Sequence, residues 1–175
     1  MAITNTNLRW FYSGGASNNI PSVSFGGAKS SFALATNLMN NLFDNVTGDE
    51  AAAGLVEYRM LYFQNTDSDA GGLMAPVVLW IVAQPTGDDT MEIGLAVAGK
   101  NGVETKPAND YTAPVNVSFS APASKSGGID FTTESIALPF IHNDYIGVWF
   151  KRTVPPGANT AASDGFQWRI EGDTV

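Results

Sequence analysis

Val56-Glu57-Tyr58-Arg59-Met60-Leu61-Tyr62-Phe63-Gln64-Asn65 is the stretch that decides the fold class. Its period is two. Val56, Tyr58, Met60 and Tyr62 fall on one face, and Glu57, Arg59, Leu61 and Phe63 on the other. A period of two over this length, in a run with three aromatic side chains, predicts a β-strand, because successive side chains leave a pleated backbone on opposite sides. Thr66-Asp67-Ser68-Asp69-Ala70-Gly71-Gly72 then breaks the pattern with turn residues.

Working outward, the same signal recurs. Leu8 to Tyr12 reads as a strand ended by Ser13-Gly14-Gly15. Val77 to Val82 is apolar on both parities, which predicts a central strand covered on both faces. Met91, Ile93, Leu95 and Val97 alternate, as do Val115, Val117 and Phe119. Tyr145 to Val154 is a long strand stopped by Pro155-Pro156-Gly157, and Phe166, Trp168 and Ile170 mark the last. About seven to nine such strands predict an all-β antiparallel sandwich, jelly-roll-like, over a single domain spanning residues 1–175. Residues 1–7 are polar and lack a strand pattern, so they are expected to form an arm. At most one short helix is expected. Asp49 to Ala53 suits one helical turn, and Ala33 to Phe43 is compatible with either a helix or an irregular segment.

Composition narrows the chemistry. The 175 residues include no cysteine, which removes disulfides, thiolate metal sites and cysteine nucleophiles. Seventeen acids against nine Lys and Arg leave a net charge of −8, which disfavours a nucleic-acid partner. No apolar stretch reaches the roughly 20 residues of a spanning helix, so no membrane partner is expected. The first residues carry no basic or apolar signal region, so no secretory signal is expected, and the Asn45 and Asn116 triplets read as chance.

Candidate motifs are weak. Gly26-Gly27-Ala28-Lys29-Ser30 departs from a phosphate loop because Ala28 separates Gly27 from Lys29, so it reads as a glycine turn. His142 is the only histidine and has no nucleophile elbow beside it, so a surface loop position is expected. Asp67-Ser68-Asp69 and Gly87-Asp88-Asp89 each supply two carboxylates, too few for calcium unless the loops meet. Trp10, Trp80, Trp149 and Trp168 all lie in candidate strands, where core packing outweighs a sugar-stacking platform. Arg59, Arg152 and Arg169 lie in or at the end of strands, suited either to ion pairs with Glu57 or Glu171 or to a contact between subunits. No catalytic residue, cofactor site or metal site is expected, and the chain reads as a non-enzyme.

Several segments together resemble a family of small virion structural proteins of tailed bacteriophages. They are Ser13 to Asn18, Ser24 to Ser31, Leu42 to Ala51, Glu57-Tyr58-Arg59, Thr112-Ala113-Pro114, Phe119 to Pro122, Val148 to Pro155, and Glu171 to Thr174. The resemblance implies a structural part of the particle with no active site. It places the protein in the virion, assembled in the host cytoplasm. The leading expectation is a head decoration (cement) protein that binds the major capsid protein as a homo-oligomer, a trimer being favoured. A tail, baseplate or collar component is the first alternative, and a carbohydrate- or receptor-binding module the second. Phe25, Lys29, Arg59 and Arg152 are the expected protein-contact residues.

Overall fold

The computed structural model describes residues 7–36, 38–67, 74–131, 140–159 and 165–174. The expected arm over residues 1–7, except Asn7, and the Asp69 carboxylate lie outside them. Asn7 itself is held to the following strand pair, its carbonyl accepting from Thr66 N–H at 2.6 Å.

Seven strands are assigned among the described residues: β1 (Leu8–Tyr12), β2 (Leu55–Asn65), β3 (Met74–Ala83), β4 (Thr90–Leu95), β5 (Ile129–Asp130), β6 (Tyr145–Val154) and β7 (Gln167–Thr174). They form a four-stranded sheet, β1-β2-β6-β4, and a three-stranded sheet, β5-β3-β7. Every pairing is antiparallel. The fold is therefore the all-β sandwich that the alternation predicts. A jelly roll has eight strands, and seven are assigned here.

The inward parity of both sheets builds the core. Leu61 and Phe63 of β2, Ile146, Val148 and Phe150 of β6, and Met91 and Ile93 of β4 meet Val77, Leu79 and Ile81 of β3. Each buried side chain of this size contributes roughly 1.5–3 kcal/mol. Trp10 of β1 and Trp168 of β7 close one side of the sandwich, ring centroids 5.7 Å apart and edge to face. The opposite side is closed by a strap. Ser120 exchanges both backbone hydrogen bonds with Ile93 of β4, and Pro122 accepts from Ile81 N–H of β3.

The outward parity of the four-stranded sheet is also apolar, so it must be covered. Phe11, Tyr58, Met60, Tyr62, Ala96 and Trp149 form a second buried cluster, capped by Phe25, Ala33, Val117 and Phe119 from loops. This explains why nine consecutive residues of β2, Glu57 to Asn65, are buried on both faces.

Two expectations need correction. Val115 to Phe119 is not a strand. Asn116 has φ 60°, a left-handed conformation that breaks an extended run. Val117 and Phe119 still pack inward, which is the burial that the alternation detected. The helix is Gly48–Ala53 (α1), six residues rather than one turn. Thr47 and Glu50 form a reciprocal capping box that stabilises its start. The segment from Ala33 to Phe43 is irregular among its described residues.

Candidate functional site

Two features stand out: an ion cluster buried at one end of the sandwich and a loop layer over the outer sheet. Both follow from the reading of β2.

Glu57 and Arg59 share the inward parity of β2, and Glu57 stands opposite Arg152 of β6. All three are buried, Glu57 at 2% and Arg59 at 1% exposure. Glu57 pairs with Arg152 through Oε1 and with Arg59 through Oε2 at 3.4 Å. Arg59 Nη1 donates to Asp110 Oδ2 at 2.6 Å. Arg152 Nη2 donates to the Asp44 carbonyl at 2.9 Å, while the exposed Asp44 carboxylate lies 3.7–3.8 Å from both guanidiniums. The Phe43 ring sits against both arginines, 5.6 Å from Arg59 Cζ and 4.9 Å from Arg152 Cζ.

Three carboxylates thus surround two guanidiniums. Burial pushes the Glu57 carboxyl above the ordinary glutamate range, against the pull of Arg152 and Arg59. Chemically the cluster is a clamp. It ties the Phe43–Asp44 segment and the Asp110 loop to the two central strands, β2 and β6, near their ends. Arg59 and Arg152, both expected as protein-contact residues, are buried and pair with partners within the chain. The strand-to-strand pair with Glu57 is the role that the structure gives Arg152. Arg169 pairs with Glu171 at 2.8 Å along β7 itself, and neither side chain is buried.

The loop layer is anchored where β1 ends. Beyond Tyr12, no described strand pairs with that edge of β2, and loops take its polar groups. Met60 N–H donates to Ser24 O at 2.6 Å, and Tyr58 N–H to Asp110 O at 2.7 Å. The Met60 carbonyl accepts from the Ser13 and Ser24 hydroxyls at 2.9 and 2.7 Å. Gly26 lies in this loop with φ +91°, and a Cβ there would stand 2.7 Å from Thr105 O. Glycine is required at that close approach. The Gly26 to Ser30 run opens no helix, in keeping with a glycine turn.

Phe25 and Lys29 belong to this layer and are half-buried. Lys106 Nζ lies 4.4 Å over the Phe25 ring, and Lys29 Nζ lies 4.3 Å over Phe11. Burial lowers the Lys29 ammonium below the ordinary lysine range. Tyr62 joins the layer to the sheet. Its hydroxyl donates to Gly27 O at 2.8 Å and accepts from Glu104 N–H at 3.2 Å, and burial raises it to about 12.

The layer also exposes apolar side chains. Eleven large hydrophobic residues are exposed among the described ones, and six of them lie on residues 13–34 and 96–120: Ile20, Phe32, Val97, Val103, Tyr111 and Val115. Sequence reasoning missed these, and it missed Phe43, Asp44 and Asp110 as partners of the arginines. Asp44 and Arg152 are 108 positions apart, so no local pattern links them.

The remaining candidates have placed roles. His142 is exposed, and its Nε2 lies 2.8 Å from the Asn143 amide nitrogen. Asp88 accepts from the Asn159 backbone and side chain at 2.8 and 2.9 Å. Among the described residues no group of three or more His, Asp or Glu side chains is placed to hold a metal ion. Trp149 is fully buried and Trp80 8% exposed, while Trp10 and Trp168 pack edge-on and tilted against Phe150 in the core aromatic cluster. Among the described residues no helix is long and apolar enough to cross a membrane. Comparison with known proteins yields no match to a family model, a curated protein or a solved structure.

Proposed function

We propose that this chain is a structural protein of a tailed-bacteriophage virion, a head decoration protein that binds the assembled major capsid protein and reinforces the shell. The observation that carries the reading is the loop layer. It exposes six apolar side chains along two loop segments, residues 13–34 and 96–120, that are otherwise rich in Gly, Ser and Asn. Exposed apolar side chains on loops over a rigid sheet suit a protein-contact surface. The segments that resemble phage virion proteins, Ser13 to Asn18, Ser24 to Ser31 and Phe119 to Pro122, fall in or beside that layer. Phe25 and Lys29 are its proposed contact residues.

The net charge of −8 fits a partner made of protein rather than the packaged DNA. The buried ion clamp and the doubly covered β2 make a stiff scaffold, so little ordering entropy is lost when many copies dock. The proposed partners are the major capsid protein and further copies of this chain.

Co-sedimentation tests the reading. Purified protein mixed with mature heads that lack tails should pellet with them and saturate at a fixed ratio to capsid protein. Binding confined to isolated tails would overturn it in favour of a tail or collar role.

A further inference from the structure

The sheet edges are managed unequally. The outer edge of β1 is covered by residues 30–34: Tyr12 N–H donates to Phe32 O, Ser30 N–H to Tyr12 O and Leu34 N–H to Trp10 O. The outer edge of β4 is covered by Ser120. β5 is only two residues long. β7 is eight residues long, and no described segment pairs with its far edge. A long open edge is a template for another strand.

The groups on that edge can be identified. Residues of one parity direct N–H and C=O to the same side of an antiparallel strand. Val77 O accepts from Phe131 N–H and Ile81 N–H donates to Pro122 O, so Val77, Leu79 and Ile81 of β3 face away from β7. Val78 and Trp80 therefore face β7, opposite Glu171 and Arg169. It follows that Trp168, Ile170 and Gly172 of β7 turn their N–H and C=O groups to the open edge. The side chains of Trp168 and Ile170 are only half-buried there.

We infer that this edge pairs with β7 of a second copy of the chain, antiparallel about a two-fold axis at Ile170. In that register Ile170 meets Ile170 of the second copy, and Trp168 meets its Gly172, which satisfies all six open backbone groups. Arg169 stands opposite Glu171 of the second copy, and Glu171 opposite its Arg169. The adjacent registers place Arg169 against Arg169 or Glu171 against Glu171, which like-charge repulsion disfavours. Lys125, 3.1 Å from Glu171, adds to the positive side of each ladder. The pairing joins two three-stranded sheets into one of six strands and covers Trp168 and Ile170. It is isologous and so closes at two copies, in place of the trimer expected from the sequence. It does not depend on the virion reading.

Sedimentation equilibrium across a concentration series tests it. The wild-type chain should reach twice the chain mass. Arg169→Glu and Glu171→Arg should each weaken association at least about tenfold, since like charges then face each other. The double variant Arg169→Glu/Glu171→Arg should restore it. Circular dichroism confirms that each variant is folded. Hydrogen exchange should show the amides of Trp168, Ile170 and Gly172 protected only at dimer concentrations. A wild-type chain that stays monomeric or forms trimers would overturn the inference, as would single variants that associate like wild type.

Discussion

Glu57 of β2 and Arg152 of β6 stand directly opposite each other and form an ion pair on the inner face of the sheet, Glu57 only 2% exposed. A pair so deep is not stabilising by itself, because both ions lose their hydration. Its consequence is dependence: each ion is tolerable only while the other stays. Arg59, Asp110 and Asp44 extend this dependence to the loops.

Arg152→Ala should therefore destabilise the fold by about 3–5 kcal/mol, since it leaves Glu57 buried beside one weaker partner. Replacing the pair together, Glu57→Leu with Arg152→Leu, should cost less than Arg152→Ala alone. Urea unfolding of the three proteins checks this order.

Stability should fall on both sides of mildly acidic pH. Burial holds the Glu57 carboxyl above its ordinary 4.5, so the folded state binds more protons than the unfolded chain just above that pH. Stability therefore decreases as pH rises through that window. Asp144 behaves oppositely. Burial raises it, but hydrogen bonds from Asn101 at 2.7 Å, Ile141 N–H at 2.9 Å and Lys100 at 3.0 Å outweigh burial and hold it below 3.8. Its contribution is present above the ordinary aspartate range and is lost as pH falls through the depressed value. Thermal melts of Glu57→Gln should lose the decline above about 4.5, and those of Asp144→Asn the decline at acid pH.

The loop layer should detach in alkali. Tyr62 is raised from 10.0 to about 12, so the folded state keeps a proton that the unfolded chain has lost. Stability should fall by roughly 2–3 kcal/mol as pH rises from 10 to about 12. Tyr62→Phe should lose about 1–2 kcal/mol at neutral pH, from the unpaired Gly27 carbonyl and Glu104 N–H, and should flatten the alkaline limb.

Glycine at 94 keeps the strap on β4. A Cβ there would stand 2.6 Å from Ser118 O and 2.7 Å from Val117 Cγ1. Gly94→Ala should cost about 1–3 kcal/mol. Faster exchange at the Ser120 amide, with the β2–β6 amides unchanged, would locate the damage in the strap.

The strands were legible because they obey a local rule. β2 and β6 carry ten or eleven residues whose faces sort by period two, and Pro155-Pro156-Gly157 marks where β6 stops. Val115 to Phe119 misled because burial and strand formation have the same periodic signature. Only the left-handed Asn116 separates them. The pairing of Arg152 with Glu57 was legible as one of two roles for a strand arginine. Phe43, Asp44 and Asp110 were not, since they reach the cluster from loops far away in sequence. The exposed apolar side chains of the loop layer lack any period, because solvent-facing loops obey no repeat.

Imaging the virion by electron cryomicroscopy with this protein labelled tests the central claim most directly. The account predicts copies at symmetry-related sites on the head, with residues 13–34 and 96–120 turned toward the capsid shell. Copies on the tail alone, or on the head with that layer facing solvent, would contradict it.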